Sequence, residues 1–355
     1  MKSIRSLGYT AIFLPPTLLA VSHALQFYLL LPLCFFVVFP LLRLVAGSVP
    51  PGEQTDWSDS ERRLLDWLPR IYALLFVITM AWVLFVVGFQ RPHSFADRAE
   101  FVVATLVLGG LAECVAHDLG HRRGTWDRRA AHLISAVAGY PFFIFEHWAH
   151  HAHARDTTSA HCPHVTENVW AYAVRRAWMA PVRAVRLNRN LARTAGDHSL
   201  LDDLRFYIAI SAVLWGAFAL VGGLYGFCLY AVLIVGVPFL LNTITYIQHW
   251  GLGDDSPATK LNGVSQVGWD DTARFQSWLI LGISFHHQHH QDAGRPYYMY
   301  GPTAGAPALP AEYAILVPLC FAPPLWRRVM KPVLLAWATG DTGSNYRSGT
   351  GEPSR

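Results

Sequence analysis

Phe101-Val-Val-Ala-Thr-Leu-Val-Leu-Gly-Gly-Leu-Ala-Glu-Cys-Val-Ala-His117-Asp-Leu-Gly-His121 is the stretch on which the fold turns. Its first part is apolar apart from Thr105 and Glu113, and it ends in two histidines four residues apart. In an α-helix, residues three or four apart share a face, so His117 and His121 aim their rings at one point. The same device recurs as His147-Trp-Ala-His150-His151, Gln248-His249-Trp250-Gly251 and His286-His-Gln-His289-His290, each closing another apolar stretch. Ten of the 17 histidines lie in these four clusters. A bilayer protein gains nothing from so many polar rings unless something binds them, and imidazoles at this spacing bind metal.

The rest of the chain places that stretch in a membrane. Of 355 residues, 53% are hydrophobic and 15% charged, and the mean hydropathy is +0.27. That composition belongs to membrane proteins and excludes an ordinary soluble domain. No Asp, Glu, Lys or Arg occurs in Ser6–Leu42, Ile71–Gln90 or Phe206–Gln248. A spanning helix needs roughly 20 apolar residues. The first run therefore predicts two spans with a tight turn near His23–Gln26. The second predicts one, and the third two, broken at Gly222–Gly226. Phe101–Ala116 makes the sixth. The fold class is an all-α integral membrane protein of six spans, one domain over 1–338, with a Gly/Ser/Thr-rich tail at 339–355 that reads as disordered. The opening Met1–Ala24 has the flavour of a signal peptide, but the apolar run continues into a second span, so an uncleaved helix is expected.

Arginine sets the orientation. Eleven arginines lie between Arg122 and Asp203 and four from Arg43 to Arg70, against Arg91 and Arg98 in the loops of the other side. The arginine-rich side is then cytoplasmic, and so are both termini; a bacterial-type inner membrane is the expected location. Counting spans, His117, His121 and His249 emerge on that face. His132–Phe145 and Ser277–Phe285 are too short to cross and read as re-entrant or interfacial segments, which keeps all four clusters at one depth. Glu53–Arg63 is expected as a cytoplasmic loop. Glu167–Leu191 is expected as an amphipathic helix lying on the membrane.

Nine imidazoles exceed what one first-row ion can use, so two ions are expected. Imidazole suits zinc, copper, iron and nickel alike; iron is favoured because helical bundles with such ligand spacings house di-iron oxygen chemistry. Other histidines have blander readings. His23, His93, His132 and His198 are taken as interfacial caps, His161 and His164 around Cys162 as a polar loop, and His153 and His287 as partners of the ligands or solvent-facing groups. The five cysteines are scattered and form no C-x-x-C, so any redox chemistry draws its electrons from elsewhere. Two rival classes are weighed against this. A bis-histidine haem protein would place single histidines in mid-membrane, and a metal transporter would string ligands along a path through the bilayer. Clustering at helix ends argues against both.

The order HDLGH, EHWAHH, TYIQHWGL, FHHQHH resembles the membrane-bound alkane monooxygenases, a branch of the histidine-box, fatty-acid-desaturase-like superfamily whose pattern runs HExxHK, EHxxGHH, NYxEHYGL, LQRHSDHH. Pro40-Leu41-Leu42, Asp156-Thr-Thr-Ser with Glu167-Asn-Val-Trp, and Arg295-Pro-Tyr-Tyr298 are smaller echoes. The likeness covers roughly residues 10–300. There are departures. Asp118 stands where the family has Glu, the second box is one residue tighter, Gln248 replaces an acid, and the last box lacks the family's Arg and Asp.

Carried across, the resemblance makes metal ligands of His117, His121, His147, His150, His151, His249, His286, His289 and His290. Each imidazole's other nitrogen needs a partner, and Asp118, Glu146, His153, Asp156, Glu167, Gln248 and Asp292 are candidates for that role or for balancing metal charge. Glu113, one turn before His117, is expected to touch the site or its water. The resemblance implies two iron ions, dioxygen as co-substrate, and hydroxylation of a C–H bond in an alkane or similar hydrophobic chain. It also implies electrons from a rubredoxin or ferredoxin with its reductase, and contact with membrane lipid; no nucleic-acid partner is expected. Desaturation or hydroxylation of a fatty-acyl group is the alternative, which the tighter second box favours, and aryl-methyl oxidation is a further variant. Trp82, Phe85, Phe142, Phe143, Trp215, Phe218 and Phe239 are available to line a substrate groove.

Overall fold

A computed structural model describes residues 2–53, 55–194, 199–262 and 268–340. His198 and the tail from 341 onward lie outside the described residues. Among those described, the chain is helical, with isolated bridges at Ser48–Ala273, Asp270–Phe285 and Asp270–Ala308 in place of strands.

Four helices are long and apolar enough to cross a membrane: Arg5–Ala24, Asp59–Phe89, Phe95–His121 and Leu204–His249. A shorter apolar helix, Leu30–Ala46, follows the first. The reversal between those two falls where the sequence predicts. Gln26 adopts φ 53°, and the Phe27 N–H donates to the Ser22 carbonyl at 2.9 Å.

The long helices start at strong signals. Ser58 and Ser94 each cap a helix in a capping box, the first with Glu61 and the second with Asp97. Each box satisfies backbone N–H groups that would otherwise have no partner. Asp203 caps Leu204–His249 by accepting from the Arg205 N–H at 2.8 Å.

Leu204–His249 is two arms. Gly223 has φ 61° and ψ −146°, outside the helical region. Ser211 and Tyr230 both donate to the Ala136 carbonyl, at 2.6 and 3.0 Å. On a straight helix, 19 residues would separate them by about 28 Å. The chain must therefore double back at Gly223, inside the predicted Gly222–Gly226 break. The arms approach so closely that a Cβ on Gly226 would run into the Phe218 carbonyl oxygen.

The predicted short segments also double back. Thr125–Val137 runs in, the backbone turns at Gly139 (φ 90°), and Phe143–Ala152 runs out carrying the second histidine box. Arg274–Leu279 and His286–Gln291 repeat the pattern around Leu281 (φ 53°) and Gly282 (φ 70°). Val169–Thr194 is the predicted amphipathic helix. Outward positions on the long helices stay apolar, with Leu74, Ile78, Val213, Leu220, Leu224 and Val235 exposed. A soluble protein rarely shows such faces, whereas lipid covers them without cost.

Candidate metal centre

The ends of the histidine-bearing helices meet. His117 and His121 close Phe95–His121, His249 closes the second arm of Leu204–His249, and the short helices Phe143–Ala152 and His286–Gln291 bring the other two boxes alongside. The nine imidazoles form two groups, each offering nitrogens within 4.8 Å of one another. His117, His121, His147, His151 and His289 make one; His150, His249, His286 and His290 make the other.

Helix geometry explains the sharing. His147 and His151 are four apart and serve the first group, while His150 is rotated to the second. In the last box His286 and His290 serve the second group and His289 the first. Both boxes have the spacing i, i+3, i+4, so each straddles the two groups in opposite sense.

The nitrogens crowd one another. Nε2 of His147 lies 2.8 Å from Nε2 of His121 and 2.9 Å from Nε2 of His151, which is 2.8 Å from Nε2 of His289. In the second group, Nε2 of His249 lies 3.1 Å from that of His150 and 2.9 Å from that of His286, itself 3.0 Å from Nε2 of His290. An imidazole nitrogen offers either one N–H or one lone pair, so these sequences cannot all be hydrogen bonds. A cation at each centre fits them. Ligand bonds of about 2.0–2.1 Å at right angles put neighbouring nitrogens about 2.9 Å apart, whereas tetrahedral ligands would stand about 3.4 Å apart. The observed spacing is that of nitrogens turned towards a shared cation.

Burial prepares the rings for that role. Among the boxes on the short helices, His147, His150, His151, His286, His289 and His290 are all held well below the ordinary histidine range, by burial first and by neighbouring imidazoles second. They stay neutral and keep their lone pairs.

The carboxylates named from the sequence have specific partners. Glu146, beside His147, is buried between Arg176 and Arg183, each with a guanidinium nitrogen 2.9 Å from a carboxylate oxygen. Burial pushes this carboxyl up, but the two arginines outweigh it and leave it below the usual range. Asp118 pairs with Arg122 at 2.9 Å, Glu167 with Arg175 at 2.6 Å, and Asp292 with Arg295 at 3.4 Å. Asp156 accepts from Thr158 and Ser159 and closes its own turn. Gln248 donates to the Tyr313 hydroxyl at 3.0 Å, and His153 contacts the Ala149 carbonyl. Glu113 is fully buried and accepts from Ser135 Oγ at 2.7 Å, while its Oε1 has no partner.

Several blander readings change. His132 is no interfacial cap: it is buried, with Phe145 and Tyr207 ring centroids 4.6 and 4.8 Å away. The His161–Cys162 loop is buried, with Cys162 Sγ donating to the His249 carbonyl. His287 is buried too, its backbone N–H donating to Asp270 at 2.9 Å. Sequence reasoning missed Tyr300, whose hydroxyl lies 3.2 Å from His289 Nδ1 and which sits in no periodic segment. It also missed Arg176 and Arg183, although seven residues on a helix place them on one face.

Among the described residues, openings of two kinds reach the histidines. An apolar cavity of 140 Å³ is lined by Phe35, Phe36, Val107, Leu111, Glu113, Phe143, Leu240, Ile244 and Ile280 and ends at His117, His147, His150 and His286. Of the aromatics named from the sequence, Phe143 lines it; Phe35 and Phe36 were not among them. A polar cleft of 310 Å³, lined by Arg70, Asp118, Arg122, Arg123, Arg295 and Tyr300 among others, reaches His117, His121 and His289.

A fatty acid desaturase family model matches residues 95–319, from the first box past the last. The chain belongs to the fatty acid desaturase family. This desaturase-family chain is also similar to curated proteins over most of its length. It is 28% identical over 336 residues to an alkane 1-monooxygenase of Ectopseudomonas oleovorans, covering 89% of this chain and 80% of that protein. It is 29% identical over 340 residues to an alkane 1-monooxygenase of Pseudomonas putida, with the same coverage of both. A xylene/toluene monooxygenase hydroxylase component of Pseudomonas putida matches at 25% over 228 residues, 63% of this chain and 60% of that protein.

Proposed function

We propose that this chain is a di-iron membrane monooxygenase that hydroxylates a C–H bond of an alkane or similar hydrophobic molecule. The convergence of nine imidazole nitrogens into groups of five and four at the end of an apolar cavity carries the reading. The names of its relatives supply the substrate class. His117, His121, His147, His151 and His289 would hold one iron, and His150, His249, His286 and His290 the other. In the net reaction one atom of dioxygen enters the C–H bond and the other leaves as water, with two protons and two electrons from an external iron–sulfur or rubredoxin-type carrier. Bound iron supplies the activation of dioxygen that an unactivated C–H bond requires.

The chain's own residues do the rest. Phe35, Val107, Leu111, Leu240 and Ile244 keep the cavity dry and hold the substrate against the histidines. Glu146 locks the second box to the amphipathic helix through Arg176 and Arg183, and Tyr300 orients His289. The arginine-lined cleft at His121 and His289 is where a carrier would approach, by charge complementarity.

Six spans in a bacterial inner membrane, with both termini and the metal centre on the cytoplasmic side, complete the reading. The reversals at Gly223 and Gly139 and the arginine distribution support it.

Turnover of iron-loaded protein with ¹⁸O₂ and a generic rubredoxin and reductase tests the proposal. A labelled alcohol from hexane or octane is the expected product. An unlabelled alkene would favour desaturation, and protein binding fewer than two irons would overturn the di-iron centre. Cavity size favours short or compact substrates: an engineered cavity of about 150 Å³ is known to hold benzene.

A further inference from the structure

Glu113 does not belong to either metal-binding group, yet it lines the cavity that ends at them. It is fully buried, in the apolar part of the chain. One carboxyl oxygen accepts from Ser135 Oγ at 2.7 Å; the other is buried with no partner. Apart from Cys114 and the histidines at the cavity's end, the other polar side chains in the wall are tied to protein. Thr245 donates to the Leu241 carbonyl, Gln248 to Tyr313, and Gln276 to Asp271. A buried acceptor left open costs free energy that a hydrocarbon cannot offset.

We infer that Glu113 anchors a hydrogen-bond-donating group of the substrate, a hydroxyl or an amine, so that the cavity takes a short hydrophobic molecule bearing one such group. The inference rests on the proposed reading of this cavity as the substrate site. An alkane bound here leaves Oε1 open. An O–H or N–H closes the shell, while the rest of the molecule fills the apolar walls of Val107, Leu111, Leu240 and Ile244. Glu113 sits one turn before His117, about 6 Å along the helix. The anchored group then rests beside the histidines, and the carbon presented to them is close to that group.

A relay of protons through the same carboxyl is the competing use. Ser135, its hydrogen-bond partner, is itself fully buried, and the wall beside Glu113 is mostly apolar, which favours a bound donor over a proton path.

The test is binding, with turnover as a separate readout. Hexane, 1-hexanol and hexylamine are titrated against iron-loaded protein in detergent, and affinity is read from ligand-dependent thermal stabilisation. Hexanol and hexylamine should bind about tenfold or more tightly than hexane, the size of one hydrogen bond to a charged or buried acceptor. In Glu113→Leu that ratio should fall to near one. Glu113→Gln, which keeps an accepting oxygen without the charge, should retain hexanol and lose hexylamine if the amine binds as a cation. A preference for the polar ligands that survives in both variants overturns the proposal, as does its absence from the wild type. These ratios do not depend on oxygenation, so a protein that binds hexanol through Glu113 and oxidises nothing would sink the monooxygenase reading alone. Where it is active, the products of hexanol should carry the new hydroxyl near the first.

Discussion

Arg176 and Arg183 hold one carboxylate between them, and the Arg176–Glu146 pair is almost wholly out of water, with side chains 4% and 2% exposed. Removing one partner of such a pair strands a charge. Glu146→Leu, which leaves the Arg176 charge buried without its carboxylate, should destabilise the protein by about 3–5 kcal/mol, read as a lower melting temperature in detergent. Tyr300 offers a cleaner case. Its hydroxyl meets His289 Nδ1, so Tyr300→Phe should weaken metal at the five-histidine group about 10–100-fold, measured by metal titration, with little change in fold. His132 gives a pH dependence. Burial lowers it to about 3, so it stays neutral while the unfolded ring, near pH 6.5, takes a proton. Its contribution is unaffected above pH 6.5 and turns against folding as pH falls towards 3. His132→Phe should therefore gain about 2 kcal/mol relative to wild type on going from pH 8 to pH 5, seen in thermal unfolding at the two pH values. The histidines that meet were legible in the sequence because their spacing is local. Their supports were not, since Tyr300 meets His289 and Arg176 meets Glu146 only through the tertiary fold.

The elements repeat one motif, a helix that enters, turns sharply and leaves. Gly139 makes the second of these turns, at φ 90°, with a would-be Cβ 3.0 Å from the Ile234 backbone nitrogen. Gly139→Ala should cost more than about 1 kcal/mol, from the left-handed backbone and the clash together. It should also loosen the second box, so metal content should fall along with the melting temperature. Such turns were readable from length. Stretches too short to cross, carrying histidines expected on one face, were expected to return. What length alone left open was their partner: the reversal at Gly139 packs on Leu233 and Ile234, a contact between segments some ninety residues apart. The spacing shared by the second and fourth boxes was visible as a pattern. That it crosses the two boxes between both groups appears only once the helices face each other.

The whole molecule is built around a centre that should stabilise it. Metal bound to folded chain adds RT ln(1 + [metal]/Kd), about 4 kcal/mol at a thousandfold excess over Kd. Chelation should therefore lower the melting temperature by several degrees, and restoring iron should recover it. The apolar runs were legible because charge is nearly absent from them; among the described residues four helices reach spanning length, one of them hinged at Gly223. The two openings differ in kind. The polar cleft touches His117, His121 and His289, all of the five-histidine group, while only the greasy opening, which reaches His117, His147, His150 and His286, touches the other group. A water-borne chelator such as EDTA should accordingly strip the protein in two phases, draining the five-histidine ion quickly and leaving its neighbour guarded behind oil. Colorimetric release of iron over time would reveal that hierarchy as two equal steps with well-separated half-lives.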